Sequence, residues 1–285
     1  MKHSFFISRL FFLLFFLAFA FACQENSEPE ILPARDLLNI SYGTDSRQTM
    51  DVFLPAGRST ATTPTLIYIH GGAWIDGDKS EFLQVKSIME KEFEGFALIS
   101  LNYRLYDFAL NKNLIPDQEK DIESAIAYIK SQLNDWKIAD IQVISGASAG
   151  GHLALLHAYK RNVSSIKAAI AFFPPTDLSA LYGFNNLTSL GLSAVVGGTP
   201  SENPEKYREV SPTTHIDSQD VPTIFFHGDV DTVVPITQSE LLKAGLEQKN
   251  VRHQFTKVPG QGHGFTQATY STLIAEARAF IGDIN

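Results

Sequence analysis

The stretch Gly146-Ala147-Ser148-Ala149-Gly150-Gly151 stands between an apolar run, Ile141-Gln142-Val143-Ile144-Ser145, and a helical run rich in alanine and leucine that begins near His152. It has the G-x-S-x-G pattern of a nucleophile elbow. A serine presented this way occupies a sharp strand-to-helix turn that only very small neighbours allow, and Gly146 and Gly150 supply that room. The amide of Ala149 and the positive end of the following helix then face an oxyanion forming beside Ser148. The same five residues also arise by chance as an ordinary glycine-rich turn, so the partners of Ser148 must be found elsewhere in the chain.

Working outward, Thr65-Leu66-Ile67-Tyr68-Ile69 and Phe96-Ala97-Leu98-Ile99-Ser100-Leu101 are continuous apolar runs of strand length, and Ile166 to Phe172, Thr223 to Phe226 and His253 to Val258 read as further strands. Such runs mark strands buried on both faces. Helical spacing of apolar residues occupies 79–93, 116–133, 152–159, 240–248 and 272–281, with Pro116 suited to a first helical turn. From Thr65 onward strands and helices alternate, which predicts an α/β fold with a mostly parallel central sheet and helices on both faces. Upstream, Ile40-Ser41-Tyr42 and Met50-Asp51-Val52-Phe53-Leu54 read as two short antiparallel strands. Residues 179–220 show no long period and read as a small loop-rich insertion with one or two short helices. Its Tyr182, Phe184, Leu187 and Leu190 are expected to cap a pocket.

In open α/β sheets the working groups gather at the carboxyl ends of strands. Those positions hold His70-Gly71-Gly72-Ala73-Trp74, Ser148, Asp177, His227-Gly228-Asp229-Val230-Asp231 and His263. A serine hydroxyl needs a base to take its proton, and the base needs a carboxylate to orient it and stabilise its charge. Asp231 and His263 follow Ser148 in the order serine, acid, histidine, with Asp229 and Asp177 as rival acids. His263 lies on the glycine-rich loop Pro259-Gly260-Gln261-Gly262-His263-Gly264-Phe265. His70 and His227 are expected to bond backbone and shape their loops, and His152 to pack behind the elbow. No histidine pair has metal-ligand spacing, so neither a metal site nor an organic cofactor is expected.

The chain has 285 residues, 44% of them hydrophobic, enough for one sizeable core. Met1-Lys2-His3 and Arg9 precede a run from Leu10 to Ala22 of Phe, Leu and Ala alone, too short for a comfortable membrane span. Residues 1–22 therefore read as a secretory signal. Cys23 follows directly and is the only cysteine, the arrangement of a lipidated first residue in an exported bacterial lipoprotein anchored at a membrane. Ala20-Phe21-Ala22 also suits ordinary A-x-A cleavage, which would give a secreted protein. Residues 23–36 form an acidic tether and 37–285 the folded domain. Losing Lys2 and Arg9 leaves 21 basic against 31 acidic residues, a net charge of −10 that argues against a nucleic-acid partner.

Taken together, His70-Gly71-Gly72-Ala73-Trp74, Asn102-Tyr103-Arg104-Leu105, the elbow through Ala154, Pro175-Thr176-Asp177-Leu178 and the 227–231 loop resemble the α/β-hydrolase superfamily. The likeness is to its esterase branch, akin to hormone-sensitive lipase and to bacterial feruloyl and acetyl-xylan esterase-like proteins. That resemblance implies Ser148 as nucleophile, His263 as base and Asp231, rather than Asp229, as acid. It also implies Gly72, Ala73 and Ala149 as oxyanion donors, with Gly71 the alternative to Gly72 and Ala73 replacing a glycine common in the branch. The implied reaction is hydrolysis of small-molecule or glycan-linked carboxylic esters, with short-chain acyl, acetyl or feruloyl groups. The alternatives are a prolyl-oligopeptidase-like peptidase, whose propeller this chain lacks, and a non-catalytic binding module.

Overall fold

The computed structural model describes residues 31–161 and 163–282. The expected signal, Cys23 and the tether up to residue 30 lie outside the described residues. The elements run β1 (Arg35–Ser41), β2 (Thr49–Leu54), β3 (Thr65–Ile69), α1 (Lys86–Glu92), β4 (Ala97–Leu101), α2 (Ile115–Ser131), α3 (Leu133–Trp136), β5 (Gln142–Ala147) and α4 (Ala149–Arg161). They continue with β6 (Ile166–Phe172), α5 (Leu178–Tyr182), α6 (Asn186–Val196), α7 (Pro204–Glu209), β7 (Thr223–Gly228), α8 (Thr237–Gln248), β8 (His253–Val258) and α9 (Gln267–Ile281). β1 takes in residues 35 and 36, assigned above to the tether, because Arg35 and Asp36 pair with Leu54 and Phe53 of β2. Among the described residues no helix is long and apolar enough to cross a membrane.

The eight strands form one sheet in the order β1-β2-β4-β3-β5-β6-β7-β8. β2 is antiparallel to both its neighbours, and every pairing from β4 to β8 is parallel. Among the parallel strands, β3 and β4 are buried at every position because helices cover both faces, whereas β8 at the sheet edge carries His253, Gln254, Thr256 and Lys257 and is fully buried only at Val258. Alternation along β3 shares its side chains between two cores. Ile67 and Ile69 join the layer packed under α2, α4 and α6, whereas Leu66 and Tyr68 join the layer under α1 and α9. The chain leaves β3 toward β4 on one side and returns to β5 on the other, so a crevice opens at the carboxyl ends of β3 and β5. Their register, Ile69 opposite Gly146, sets the loop starting at His70 beside the elbow.

Two segments differ from the pattern reading. The helix expected over 79–93 is a 3-10 turn, Lys79–Gln84, followed by α1, with Asp78 and Glu81 forming a capping box at its start. Residues 179–220 are helical rather than loop-rich. Asp177 caps α5 through the Ala180 amide, and Asn185 and Thr188 form a capping box on α6. Only Leu192, Val195 and Val196 of α6 are buried, so its helical period is faint in sequence, and the caps and tertiary contacts make the helix. Asp177, a rival acid, is thereby occupied as a helix cap.

Candidate active site

β5 ends at Ala147 and α4 begins at Ala149, leaving Ser148 alone at the turn with φ of 53°. For a residue with a Cβ this left-handed conformation costs about 1–2 kcal/mol. It is held by the Ser148 amide donating to Phe172 O (2.9 Å) and by the His152 amide donating to Ser148 O (2.9 Å). Gly150 packs flat on the end of β3, where a Cβ would stand 2.1 Å from Ile69 O. This is the close approach that the small residues of the elbow permit.

Ser148, His263 and Asp231 come together from the ends of β5, β8 and β7. His263 Nε2 is 2.8 Å from Ser148 Oγ, and its Nδ1 is 2.7 Å from Asp231 Oδ2. Burial alone would raise the Asp231 carboxyl, but hydrogen bonds from His227, His263 and the Val233 amide prevail and hold it well below the usual carboxylate range. An ionised carboxylate only accepts, so Nδ1 of His263 carries the proton and its bare Nε2 accepts from the Ser148 hydroxyl. Oδ1 of Asp231 accepts the amides of Val233 (2.8 Å) and Val234 (3.0 Å), which fixes the carboxylate plane. Asp229, the nearer rival, instead accepts the Gly260 amide and ties the two loops together.

His227 has a larger part than loop shaping. It accepts from Ser239 Oγ at Nδ1 (2.7 Å), and its Nε2 proton is shared between Val234 O (2.9 Å) and Asp231 Oδ2 (3.3 Å). Phe173, with φ of 40°, sets its ring 4.6 Å from the His263 imidazole. Phe173 and His263 meet only across strands, whereas His227 and Asp231 stand four residues apart on the segment that ends β7.

The loop after β3 lies directly against the elbow: a Cβ on Gly71 would be 3.2 Å from Ala147 O and 3.5 Å from Ser148 Cβ. Gly72, Ala73 and Trp74 follow with φ of 102°, 49° and 65°. The amides of Gly72 and Ala73 find no acceptor among the described residues, and both residues line the cavity with Ser148. Ala149, buried, starts α4 beside them. Behind the loop, the Trp74 indole donates to His152 Nδ1 (3.1 Å), His152 Nε2 donates to Val210 O (2.7 Å), and the Gln118 amide donates to Trp74 O (2.8 Å). Burial outweighs the Val210 bond and pushes the His152 imidazole down to about 4, so it stays neutral in that relay. It does pack behind the elbow, as its position suggests.

A cavity of about 530 Å³ opens over Ser148 and His263. Its wall includes Tyr68, Met89, Phe172, Phe173, Tyr270 and Ile274. Tyr68 is in register with Ser145, three residues before the nucleophile, so the cavity reaches roughly 10 Å below Ser148 along the strands. None of Tyr182, Phe184, Leu187 and Leu190 lines it, contrary to the expected cap. The cavity lies on the α1 and α9 side of the sheet, while the buried residues of the 179–220 insertion belong to the opposite core. Tyr182 packs against Tyr207, and Leu187 and Leu190 are 79% and 72% exposed.

A mostly parallel sheet bearing a serine at a strand-to-helix turn, linked through histidine to an aspartate at neighbouring strand ends, defines an α/β-hydrolase with a Ser-His-Asp constellation. Within that class the chain belongs to the BD-FAE family, whose model matches residues 50–246. Among curated relatives, esterase LipC of Mycobacterium tuberculosis is 25% identical over 79% of this chain and 59% of its own length. The probable carboxylic ester hydrolase LipM of the same organism is 29% identical over 85% of this chain and 57% of its own length. The chain thus spans less than two thirds of these relatives. Among solved structures, a bifunctional GH43-CE protein of Bacteroides eggerthii superposes with a TM-score of 0.74 at 27% identity, over 87% of this chain and 38% of that one.

Proposed function

We propose that this chain hydrolyses carboxylic esters through an acyl-enzyme on Ser148. The observation that carries the reading is the unbroken hydrogen-bonded series Ser148, His263, Asp231 at the mouth of an apolar cavity. Ser148 Oγ attacks the ester carbonyl carbon as His263 Nε2 takes its proton, and the amides of Gly72, Ala73 and Ala149 bind the oxygen that becomes negative. His263 returns the proton to the leaving alkoxide. It then deprotonates the water that releases the acid, while Asp231 keeps the imidazole oriented and its cationic form stabilised. Short-chain acyl esters and acetyl or feruloyl groups on carbohydrate are the substrates, a reading supported by the carbohydrate-active bifunctional neighbour and by an apolar cavity deep enough for more than acetate. A panel of p-nitrophenyl acyl esters, acylated glycans and proline-containing peptides tests it. Ester turnover that Ser148→Ala abolishes is expected, whereas preferential peptide cleavage, or glycan binding without turnover, would overturn it.

Export and lipid anchoring belong to the same proposal. They rest on the Phe-, Leu- and Ala-only run up to Ala22 and the lone Cys23 after it. Mass spectrometry of the mature amino terminus should find a diacylglyceryl-modified Cys23; an unmodified residue there rejects the anchor.

A further inference from the structure

Arg47 lies on the turn between β1 and β2, outside every motif noted in the sequence, and its guanidinium reaches both ends of the loop that faces Ser148. Nη2 donates to Gly77 O (2.7 Å) and Asn102 Oδ1 (3.3 Å), and stands 3.3 Å from His70 Nε2. Nη1 pairs with Asp78 Oδ2 at 3.4 Å, and Nε donates to Tyr103 O at 3.5 Å. His70 opens the loop and Gly77 and Asp78 close it.

The His70 ring is fixed by every other contact in an orientation that leaves Nε2 for Arg47. Its Nδ1 donates to Gly71 O at 2.7 Å, its face stacks on Tyr103 at 4.4 Å, and the Tyr103 hydroxyl donates to His70 O and Gly71 O. Between the two pinned ends run Gly72, Ala73 and Trp74, all with positive φ. Ala73 and Trp74 each resist that conformation by about 1–2 kcal/mol, so the loop keeps its shape through the hold on its ends together with the bonds that Gly72 O and Trp74 make within and behind it.

The β1–β2 hairpin does not depend on Arg47. Gln48 Nε2 donates to Asp121 Oδ1 (2.8 Å), the Tyr42 hydroxyl donates to Asn102 O, and β2 is laddered to β4. Three of the five contacts of Arg47, to His70, Gly77 and Asp78, are to the loop itself, and the other two, to Asn102 and Tyr103, are to the segment after β4 that packs against it.

We propose that Arg47 is a positioning residue for ester hydrolysis, holding His70 and Gly77 so that the amides of Gly72 and Ala73 stay aimed at the oxyanion. This rests on the hydrolase reading of Ser148. The side chain is 30% exposed, which leaves its place open to a small cation from solvent.

The test compares full-length Arg47→Ala and Arg47→Lys with the parent chain. For Arg47→Ala, kcat on p-nitrophenyl acetate should fall about 10- to 100-fold, with KM within about threefold and an unchanged acid limb of the kcat profile. The ratio of oxoester to thionoester turnover should fall too, since sulfur fits a well-formed oxyanion hole poorly and a loosened one no worse. Millimolar guanidinium should restore part of the Arg47→Ala rate and none of the Ser148→Ala rate, and Arg47→Lys should fall between parent and Arg47→Ala. Independently of turnover, hydrogen exchange should quicken in the peptide covering 70–78 and not in the one covering 48–54. Unchanged exchange in 70–78, or activity lost only in proportion to unfolded protein with the oxoester to thionoester ratio intact, would overturn the proposal. If the parent chain cleaves no ester while exchange in 70–78 still responds, the hydrolase reading fails and the pinning of the loop stands.

Discussion

His263 Nε2 lies 2.8 Å from Ser148 Oγ across 115 residues of chain, while the opposite nitrogen of the same ring meets Asp231 at 2.7 Å. A single imidazole thus joins the nucleophile to the acid. Ser148→Ala, His263→Ala and Asp231→Asn should each lower kcat by about 10³-fold or more, and the Ser148→Ala/His263→Ala pair should be no worse than either alone, because the groups act as one unit. Steady-state kinetics on a p-nitrophenyl ester measures this; additive losses in the double variant would show independent roles.

Ile274 of α9 and Met89 of α1 stand in the cavity wall. Ile274→Trp should fill that space and lower kcat/KM for octanoyl or cinnamoyl esters by about 10- to 100-fold, leaving acetyl esters within about threefold. The chain-length profile is the readout. An equal loss on all acyl lengths would place the acyl group elsewhere.

Gly150 has no room for a side chain, since a Cβ there would press on the backbone oxygens of Ile69 and His70 at 2.1 and 2.4 Å. Gly150→Ala should destabilise the fold by about 1–3 kcal/mol or prevent folding, because backbone cannot give way as a flexible side chain would. Urea denaturation followed by circular dichroism checks it.

Stability should decline on mild acidification. Burial pushes His70 and His152 down to about 4 from an ordinary 6.5, so below pH 6.5 the unfolded chain binds protons that the folded chain refuses. Each contributes stability that is present above pH 6.5 and is lost as pH falls toward 4, at most about 3 kcal/mol apiece. Asp220 works the other way: burial raises it to about 6, so the folded chain takes up a proton first and offsets part of the loss. Urea midpoints should be level from pH 7 to 8 and fall from 6.5 to 4.5, with a steeper fall in Asp220→Asn.

Much of this was legible along the chain. The bounds of β3 coincide with its apolar run because a strand buried on both faces leaves little room for polar residues. Ser148, Asp231 and His263 could be singled out because each follows a strand, where a parallel sheet collects its strand ends. Of the helices of 179–220 only one or two short ones were expected, and their number and bounds were not legible, since α6 owes its existence to a capping box and three buried residues rather than to a strong period.

The sequence by itself determined which segments are strands, the order in which nucleophile, acid and base follow one another, and the small residues that make the elbow possible. All of these are local properties, set by side-chain volume, polarity and period over a few residues. Tertiary structure alone decided that the cavity opens between α1 and α9 and not beneath the 179–220 insertion, that His227 shares the carboxylate of Asp231, and that Arg47 grips both ends of the loop at His70 and Gly77. The cavity and the Arg47 contacts bring together groups distant along the chain, and the approach of His227 to Asp231, four residues on, depends on how the loop after β7 folds. The sheet's strand order and the face to which each side chain turns are set by the packing of the whole core.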